Sequence, residues 1–389
     1  MKKIKILVTG GPVHANLDAV KIITNRFKGG RIAEFADDLE SIDPSNIKIT
    51  YLTSKGSRLP DSANIKIVYH SGFEDYREKV LSMAPRFDGV ILGAAVCNLI
   101  PLNPIKGKFP SHNYKVGDKI PIDFTIAPRI IDEVKKVAPK TKLFGFKLLQ
   151  GVSHEELINA AYDIVLESKA VMVFANDANN LDIKYAVTKE KGEIPFLNRN
   201  VKEKWEMAKF VVQLIEDEYY STKEDSEINE YGFLDYAEEI RKLKYLLKEN
   251  ENLLRKEYGK ERYKFGTVAV RIKNTNSFVT TVRGKKDLKD VAIVKKVDHR
   301  RRKVYASKKA TLNAPLLHNI FKERKDVKAI VHYHAKKNDC ITFPYKVPGT
   351  KREAMLGKTI GDSKDIKKFN KRFDTFYIEG HGTFELITE

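Results

Sequence analysis

Val8 to Asp38 reads VTGGPVHANLDAVKIITNRFKGGRIAEFADD, and the fold turns on it. The apolar run Ile4-Lys5-Ile6-Leu7-Val8 that leads into it predicts a buried strand. Thr9-Gly10-Gly11-Pro12 then predicts a tight turn, where small residues let backbone N–H groups come close to a ligand. Asn25-Arg26-Phe27-Lys28-Gly29-Gly30 opens a helix running through Ile32, Phe35, Ala36 and Leu39. Such a junction, with Arg26, Lys28 and Arg31 nearby, offers a phosphate free amides, the positive end of a helix dipole and mobile cations. The pattern matches neither G-x-G-x-x-G nor the Walker motif.

Outward from this stretch, apolar strands alternate with amphipathic helices. The expected strands are residues 4–8, 47–52, 65–69, 89–95, 143–146 and 170–175, and the expected helices 31–39, 73–84, 129–137, 154–168 and 201–216. This is the pattern of an α/β, Rossmann-like, mostly parallel sheet with helices on both faces. Ligands of such sheets sit at the carboxyl ends of the strands. Thr9–Pro12, Gly93–Pro101, Gly145–Leu149 and Ala175–Leu181 fall there.

Read together, these segments resemble the phosphopantothenoylcysteine synthetase family, the ligase half of the coenzyme A biosynthesis flavoprotein. Gly10-Gly11, Asp18-Ala19-Val20-Lys21, Ile23-Thr24-Asn25-Arg26 and Gly29 take the places of the family's glycine turn, its Asp-Pro-Val-Arg segment and its Ser-Asn-Arg-Ser-Ser-Gly segment. Gly93-Ala94-Ala95-Val96-Cys97-Asn98 resembles Ala-Ala-Ala-Val-Ala-Asp, and Pro104-Ile105-Lys106-Gly107-Lys108 a mobile lysine loop. Phe144-Gly145-Phe146-Lys147 and Phe174-Ala175-Asn176-Asp177-Ala178 complete the series. Pro12 departs from the family, which has Thr there.

The resemblance implies a ligase that activates a carboxylic acid with CTP or ATP and Mg²⁺ as an acyl-nucleotide, then joins it to a cysteine-like amine. Asn25 would steady the acyl intermediate, and Lys106 or Lys108 would handle the phosphates. Gly10, Gly11, Gly29, Ala94, Phe146, Asn176 and Asp177 would hold the nucleotide. No flavin is expected. Residues 1–220 form this expected domain.

Residues 221–233 read as an exposed polar linker, and Leu234–Tyr258 as an amphipathic helix packed on a second domain, 234–389. There His332-Tyr333-His334 follows a strand-like run, so the two imidazoles share a face. With His381 they make a three-imidazole set suited to zinc or another divalent metal with one position open. His318, the run 326–334, Val347-Pro348-Gly349-Thr350 and Glu379-Gly380-His381-Gly382 resemble the class II aldolase/adducin family over about residues 256–389. That implies a smaller α/β domain with a central, largely antiparallel sheet, and an anion site at Thr267, Arg283, Gly284 and Asn313. Ala314 stands where that family has its catalytic Glu, which removes the usual general base. Ordinary retro-aldol cleavage is therefore not expected.

The formal net charge of +19 favours small anionic or phosphorylated substrates, although the lysines are scattered as a compositional bias would scatter them. Only His299–Lys303 is a dense basic cluster, and it reads as a solvated turn; nucleic acid is not the expected partner. Two distant cysteines, Cys97 and Cys340, and no leader-like or membrane-length apolar run point to the cytoplasm. Both families imply a homo-oligomer, dimer or tetramer. The expectation is a bifunctional metabolic enzyme. The rival is a binding, scaffold or nucleic-acid-associated protein built on retired enzyme domains.

Overall fold

The computed structural model describes residues 3–197, 200–225, 235–254, 257–258, 263–264, 266–273, 275–284, 290–361 and 374–388. Two compact units emerge, 1–189 with 195–216, and 190–194 with 217–389.

The first unit is built on a sheet of strands β1 (Ile4–Thr9), β2 (Ile47–Ser54), β3 (Lys66–His70), β4 (Gly89–Leu92), β5 (Lys142–Leu149), β6 (Met172–Asp177), β7 (Asn180–Val187) and β8 (Glu193–Leu197). Across the sheet the order is β8-β7-β6-β5-β4-β1-β2-β3. β1 to β6 pair in parallel, and β7 runs antiparallel beside β6. The chain winds from β1 through β2 to β3, then returns to the other side of β1 for β4, β5 and β6. The switch point therefore lies between β1 and β4, and a crevice opens beyond their carboxyl ends. The central strands are continuous apolar runs because both faces are covered; Ile6, Leu7, Val8, Val90 and Ile91 are wholly buried. The helices are α1 (Gly30–Ile42), α2 (Phe73–Met83), α3 (Ile131–Val137), α4 (His154–Ser168) and α5 (Val201–Glu216). α1 packs on α5, and α3 on both α2 and α4. Ser153 begins α4 with a reciprocal capping box to Glu156.

The expected strand 89–95 is interrupted: β4 stops at Leu92, and Ala95-Val96 pair instead with Pro12-Val13. Leu181, expected in the loop after β6, already belongs to β7.

The second unit holds a sheet of β9 (Ser221–Glu224), β10 (Thr267–Arg271), β11 (Phe278–Thr281), β12 (Val291–Asp298), β13 (Lys303–Ala306), β14 (Ala329–Tyr333), β15 (Ile341–Phe343), β16 (Thr375–Ile378) and β17 (Gly382–Ile387). Its order is β9-β13-β12-β11-β10-β14-β17-β16-β15, antiparallel except at the two edge pairs. Alternate residues feed two cores. Ala269, Phe278, Ala292 and Ile330 pack with the helices Ala314–Glu323 and Lys351–Gly361. Val268, Val270, Val279, Ile293 and Val331 meet Leu243, Leu246 and Leu247 of the helix Ala237–Glu249. Buried Arg271 donates to the carbonyls of Phe321, Arg324 and Val327, closing off the carboxyl end of the Ala314–Glu323 helix.

Two sequence expectations change here. Ser221–Glu224, read as linker, is edge strand β9, held in parallel to β13 through backbone bonds that its polar side chains do not disclose. The helix expected over Leu234–Tyr258 ends at Glu249, a short turn of helix follows at Glu251–Leu254, and Glu257-Tyr258 are extended. Leu234 and residues 226–233 lie outside the described residues.

Candidate functional site

At the switch point, the turn after β1 and the turn after β4 are joined by backbone bonds, Gly93 N–H to Thr9 O (3.0 Å) and Ala95 N–H to Gly11 O (2.9 Å). Asn25 Nδ2 donates to Ala95 O at 3.0 Å, which fixes its amide against the same turn. Gly29 precedes α1 with φ 82°, and a Cβ there would fall 2.4 Å from the Gly11 nitrogen. Only two glycines allow this backbone approach. The first N–H groups of α1, at Gly30 and Arg31, have no partner inside the helix and lie at the positive end of its dipole.

These parts wall a cavity of about 570 Å³. Gly11, Asn25, Gly29, Ala94, Phe146 and Asn176 all line it. Phe146 stacks on Phe174 with ring centroids 5.3 Å apart, and Asn176 Nδ2 donates to Ile183 O at 2.7 Å. Gly10, Asp177, Lys106 and Lys108 are not among the lining residues. Gly10 lies against Tyr51, where a Cβ would sit 1.9 Å from the phenol oxygen. Asp177 accepts from the Asn179 N–H at 2.9 Å. Lys106 and Lys108 lie exposed on a loop after β4. That loop is tied down by a residue of the sequence motif that had no assigned role. Buried Asp18 accepts from the backbone N–H of Phe109 (2.9 Å) and of Lys21, and Ala19 N–H donates to Gly107 O (3.0 Å). The Lys21 and Phe109 amides hold the Asp18 carboxyl well below the usual carboxylate range.

Nothing in the pattern of residues pointed to one further cation of this cavity. Lys184 on β7 is 7% exposed and lines the cavity. No acceptor lies within hydrogen-bonding distance of its ammonium among the described residues. Burial, then the charges of Arg31 and Lys204, push it down to about 8. Lys28, Arg31, Lys147 and Lys204 add cations to the same walls. Lys204 is paired with Glu34 at 2.7 Å, and burial pushes Asp38 up to about 6. A buried ammonium with no hydrogen-bonded counter-charge is costly and is relieved by an anion.

In the second unit, His332, His334 and His381 come together, each with one ring nitrogen within 4.8 Å of the others. His334 lies one residue beyond β14 but still converges with His332, ring centroids 5.2 Å apart. His332 stacks on Phe384 at 4.0 Å. Its Nδ1 meets Thr383 O at 2.9 Å, so Nδ1 carries the proton and Nε2 keeps its lone pair. Burial, then the neighbouring imidazoles, hold His381 well below the ordinary histidine range and keep it neutral. Neutral, converging imidazoles are the donor set a divalent metal takes.

Thr267 and Asn313 reach this cluster through buried hydrogen bonds: Thr267 to Thr311 (2.8 Å), Thr311 to Asn313 (3.3 Å), and Asn313 Nδ2 to His381 Nε2 (3.2 Å). Arg283 and Gly284, expected beside them, lie on an exposed turn. Ala314 is wholly buried in the apolar core. The basic segment after β12 is a turn with Arg300 and Arg301 exposed, but His299 is turned inward between Tyr220 Oη (2.7 Å) and His318 Nδ1 (3.0 Å).

The order of its strands and the cationic cavity at its switch point make the first unit a doubly wound α/β protein. Residues 1–217 match the family described as DNA/pantothenate metabolism flavoprotein C-terminal domain, and the chain belongs to that family. A coenzyme A biosynthesis bifunctional protein CoaBC of Thermococcus kodakarensis is 28% identical over 202 residues, 51% of this chain and 46% of that protein. The chain thus spans about half the length of the curated relative it matches. The structure of a DNA/pantothenate metabolism flavoprotein from Streptococcus pneumoniae aligns over 55% of this chain and 98% of its own, with 23% identity and a TM-score of 0.46. An L-fuculose 1-phosphate aldolase aligns over 39% of this chain and 76% of its own, with 16% identity and a TM-score of 0.29.

Proposed function

We propose that the first unit is a nucleotide-dependent acid–amine ligase. A carboxylate oxygen of the acid attacks the α-phosphorus of CTP or ATP, held with Mg²⁺, and pyrophosphate leaves. The amine nitrogen of a cysteine-like substrate then attacks the acyl carbon and expels the nucleoside monophosphate. Phosphopantothenate and cysteine are the pair that membership of the family suggests. The observation that carries this reading is the buried Lys184 ammonium facing a cavity whose other wall is the Gly11–Gly29 turn and the start of α1. Cation and amides suit a polyphosphate. Asn25, fixed by Ala95 O, stands at the same turn to orient the acyl group. Lys106 and Lys108, on the loop tethered through Asp18, would meet the phosphates by loop movement.

In the second unit we propose a divalent metal site, zinc for preference, at His332, His334 and His381. When bound, the metal supplies Lewis-acid polarisation of a substrate oxygen. Buried Phe384 holds the His332 ring and Thr383 O fixes its tautomer. The chemistry of this unit differs from aldol cleavage, because Ala314 presents no base.

Pyrophosphate release by the whole chain tests the ligase reading. We expect release with CTP or ATP that depends on both phosphopantothenate and cysteine, and a fall in kcat of about 100-fold in Asn25→Ala. No release with either nucleotide across a panel of acids and amines would refute it and leave a binding protein.

A further inference from the structure

The geometry points to Glu353 as the positioning residue of the metal centre, a carboxylate that backs His381 and fixes which of its nitrogens faces the ion. This rests on the metal reading proposed above. Glu353 lies in the first turn of the Lys351–Gly361 helix and is wholly buried. Its Oε2 accepts from Gly349 N–H at 2.6 Å, and its Oε1 from Asn313 Nδ2 at 2.9 Å. Oε1 also stands 3.7 Å from His381 Nδ1. That nitrogen is buried and has no hydrogen-bond partner. A carboxylate oxygen has room for a second donor, and a ring N–H is the donor at hand.

The two well-buried histidines then follow one rule. His332 gives its Nδ1 proton to Thr383 O and keeps Nε2 for the ion. His381 directs its Nδ1 proton toward Glu353, and its Nε2 accepts from Asn313 Nδ2, an amide that an ion at Nε2 would displace. Asn313 Nδ2, which touches both Glu353 Oε1 and His381 Nε2, ties carboxylate and ring into one unit. A carboxylate behind a ligating imidazole locks its tautomer and makes the facing nitrogen a better donor. Position 314 supplies no carboxyl group, since alanine is packed in the core there. Glu353 is therefore a different device from a base in contact with substrate: it acts through His381.

The test uses the full chain, loaded with Co²⁺ as a spectroscopic probe and with Zn²⁺ by chelator competition. Glu353→Gln keeps the size and can still accept from Gly349 or Asn313. We expect it to weaken both metals by 10- to 100-fold and to shift the visible Co²⁺ bands, with the circular dichroism of the metal-free protein unchanged. Glu353→Asp, which retains the carboxyl group, should recover part of the affinity. Should Glu353→Gln not fold, Glu353→Asp carries the test alone, with a smaller loss and a smaller band shift expected. Wild-type affinity and spectrum in the variant that folds would overturn the role of Glu353 and leave the metal site standing. Failure of the wild-type chain to bind either ion would overturn the metal reading, and this inference with it.

Discussion

Lys184 faces two other cations, Arg31 and Lys204, and is opposed by Asp182 and Glu34, neither close enough to bond it. Its ammonium therefore costs the unliganded fold free energy, and the sign of the pH effect follows. A group titrating near 8 when folded and near 10.5 when unfolded holds fewer protons in the fold across that window. Stability of the free protein thus rises as pH goes from 8 to 10.5, and the deficit is complete below 8. In the proposed ligase a triphosphate would bind the charged form, so its affinity would run the opposite way. We expect CTP or ATP affinity, measured by calorimetry, to fall roughly tenfold between pH 7.5 and 9.5, with protons taken up on binding. In Lys184→Met the affinity at pH 7.5 should be about tenfold weaker and flat with pH, while the unliganded melting temperature rises. A wild-type affinity without pH dependence would remove Lys184 from the anion site.

Among the elements, α1 packs on α5 along its length, but its first turn is set by one close backbone approach. Gly29 combines a left-handed φ of 82° with a Cβ position 2.4 Å from Gly11 N and 2.6 Å from Gly11 Cα, both backbone atoms that cannot step aside. Gly29→Ala should cost about 1 kcal/mol from the backbone conformation and more from the clash. It should lift the start of α1 away from the turn. We expect a lowered melting temperature with nucleotide binding reduced far more than the fold loss explains; unchanged nucleotide affinity would show that this junction does not cradle the ligand.

The same stretch shows what a sequence discloses. Its glycines and the apolar runs around it announce β1, α1 and the parallel sheet, because buried strands and helix faces need long apolar patterns. β7 escaped, since NLDIKYAV at the sheet margin alternates burial and mixes charge with apolar residues. β9 escaped because STKE pairs by backbone alone. Lys184 was one cation among 71 Lys and Arg. Only its place between Ile183 and Tyr185, on the face opposite to theirs, could have singled it out. Glu353 looked like an ordinary first-turn acid. The histidines were legible because H-x-H carries its geometry in its spacing, whereas a partner such as Asn313 comes from the residue before the Ala314–Glu323 helix, 68 residues before His381.

At the scale of the whole molecule, the first unit presents a surface that one chain leaves uncovered. Leu99–Pro101 and Phe124–Ile126 form an antiparallel ribbon of two strands. All three residues of the second strand are exposed, Ile126 at 70%, and Leu102, which continues the first strand and bonds to Asp123 O, is exposed as well. Two strands alone are marginal in water, and clustered apolar side chains on such a ribbon call for a covering surface. The covering surface we expect is the same ribbon of a second copy. An isologous pairing lets each apolar patch meet its equivalent. Light scattering after size exclusion should give at least twice the 44.5 kDa chain mass. Phe124→Lys with Ile126→Glu should yield a folded monomer, since neither side chain is buried within its own chain. A monomeric wild-type protein at micromolar concentration would refute the pairing. An unchanged oligomer in the double variant would assign assembly to another surface.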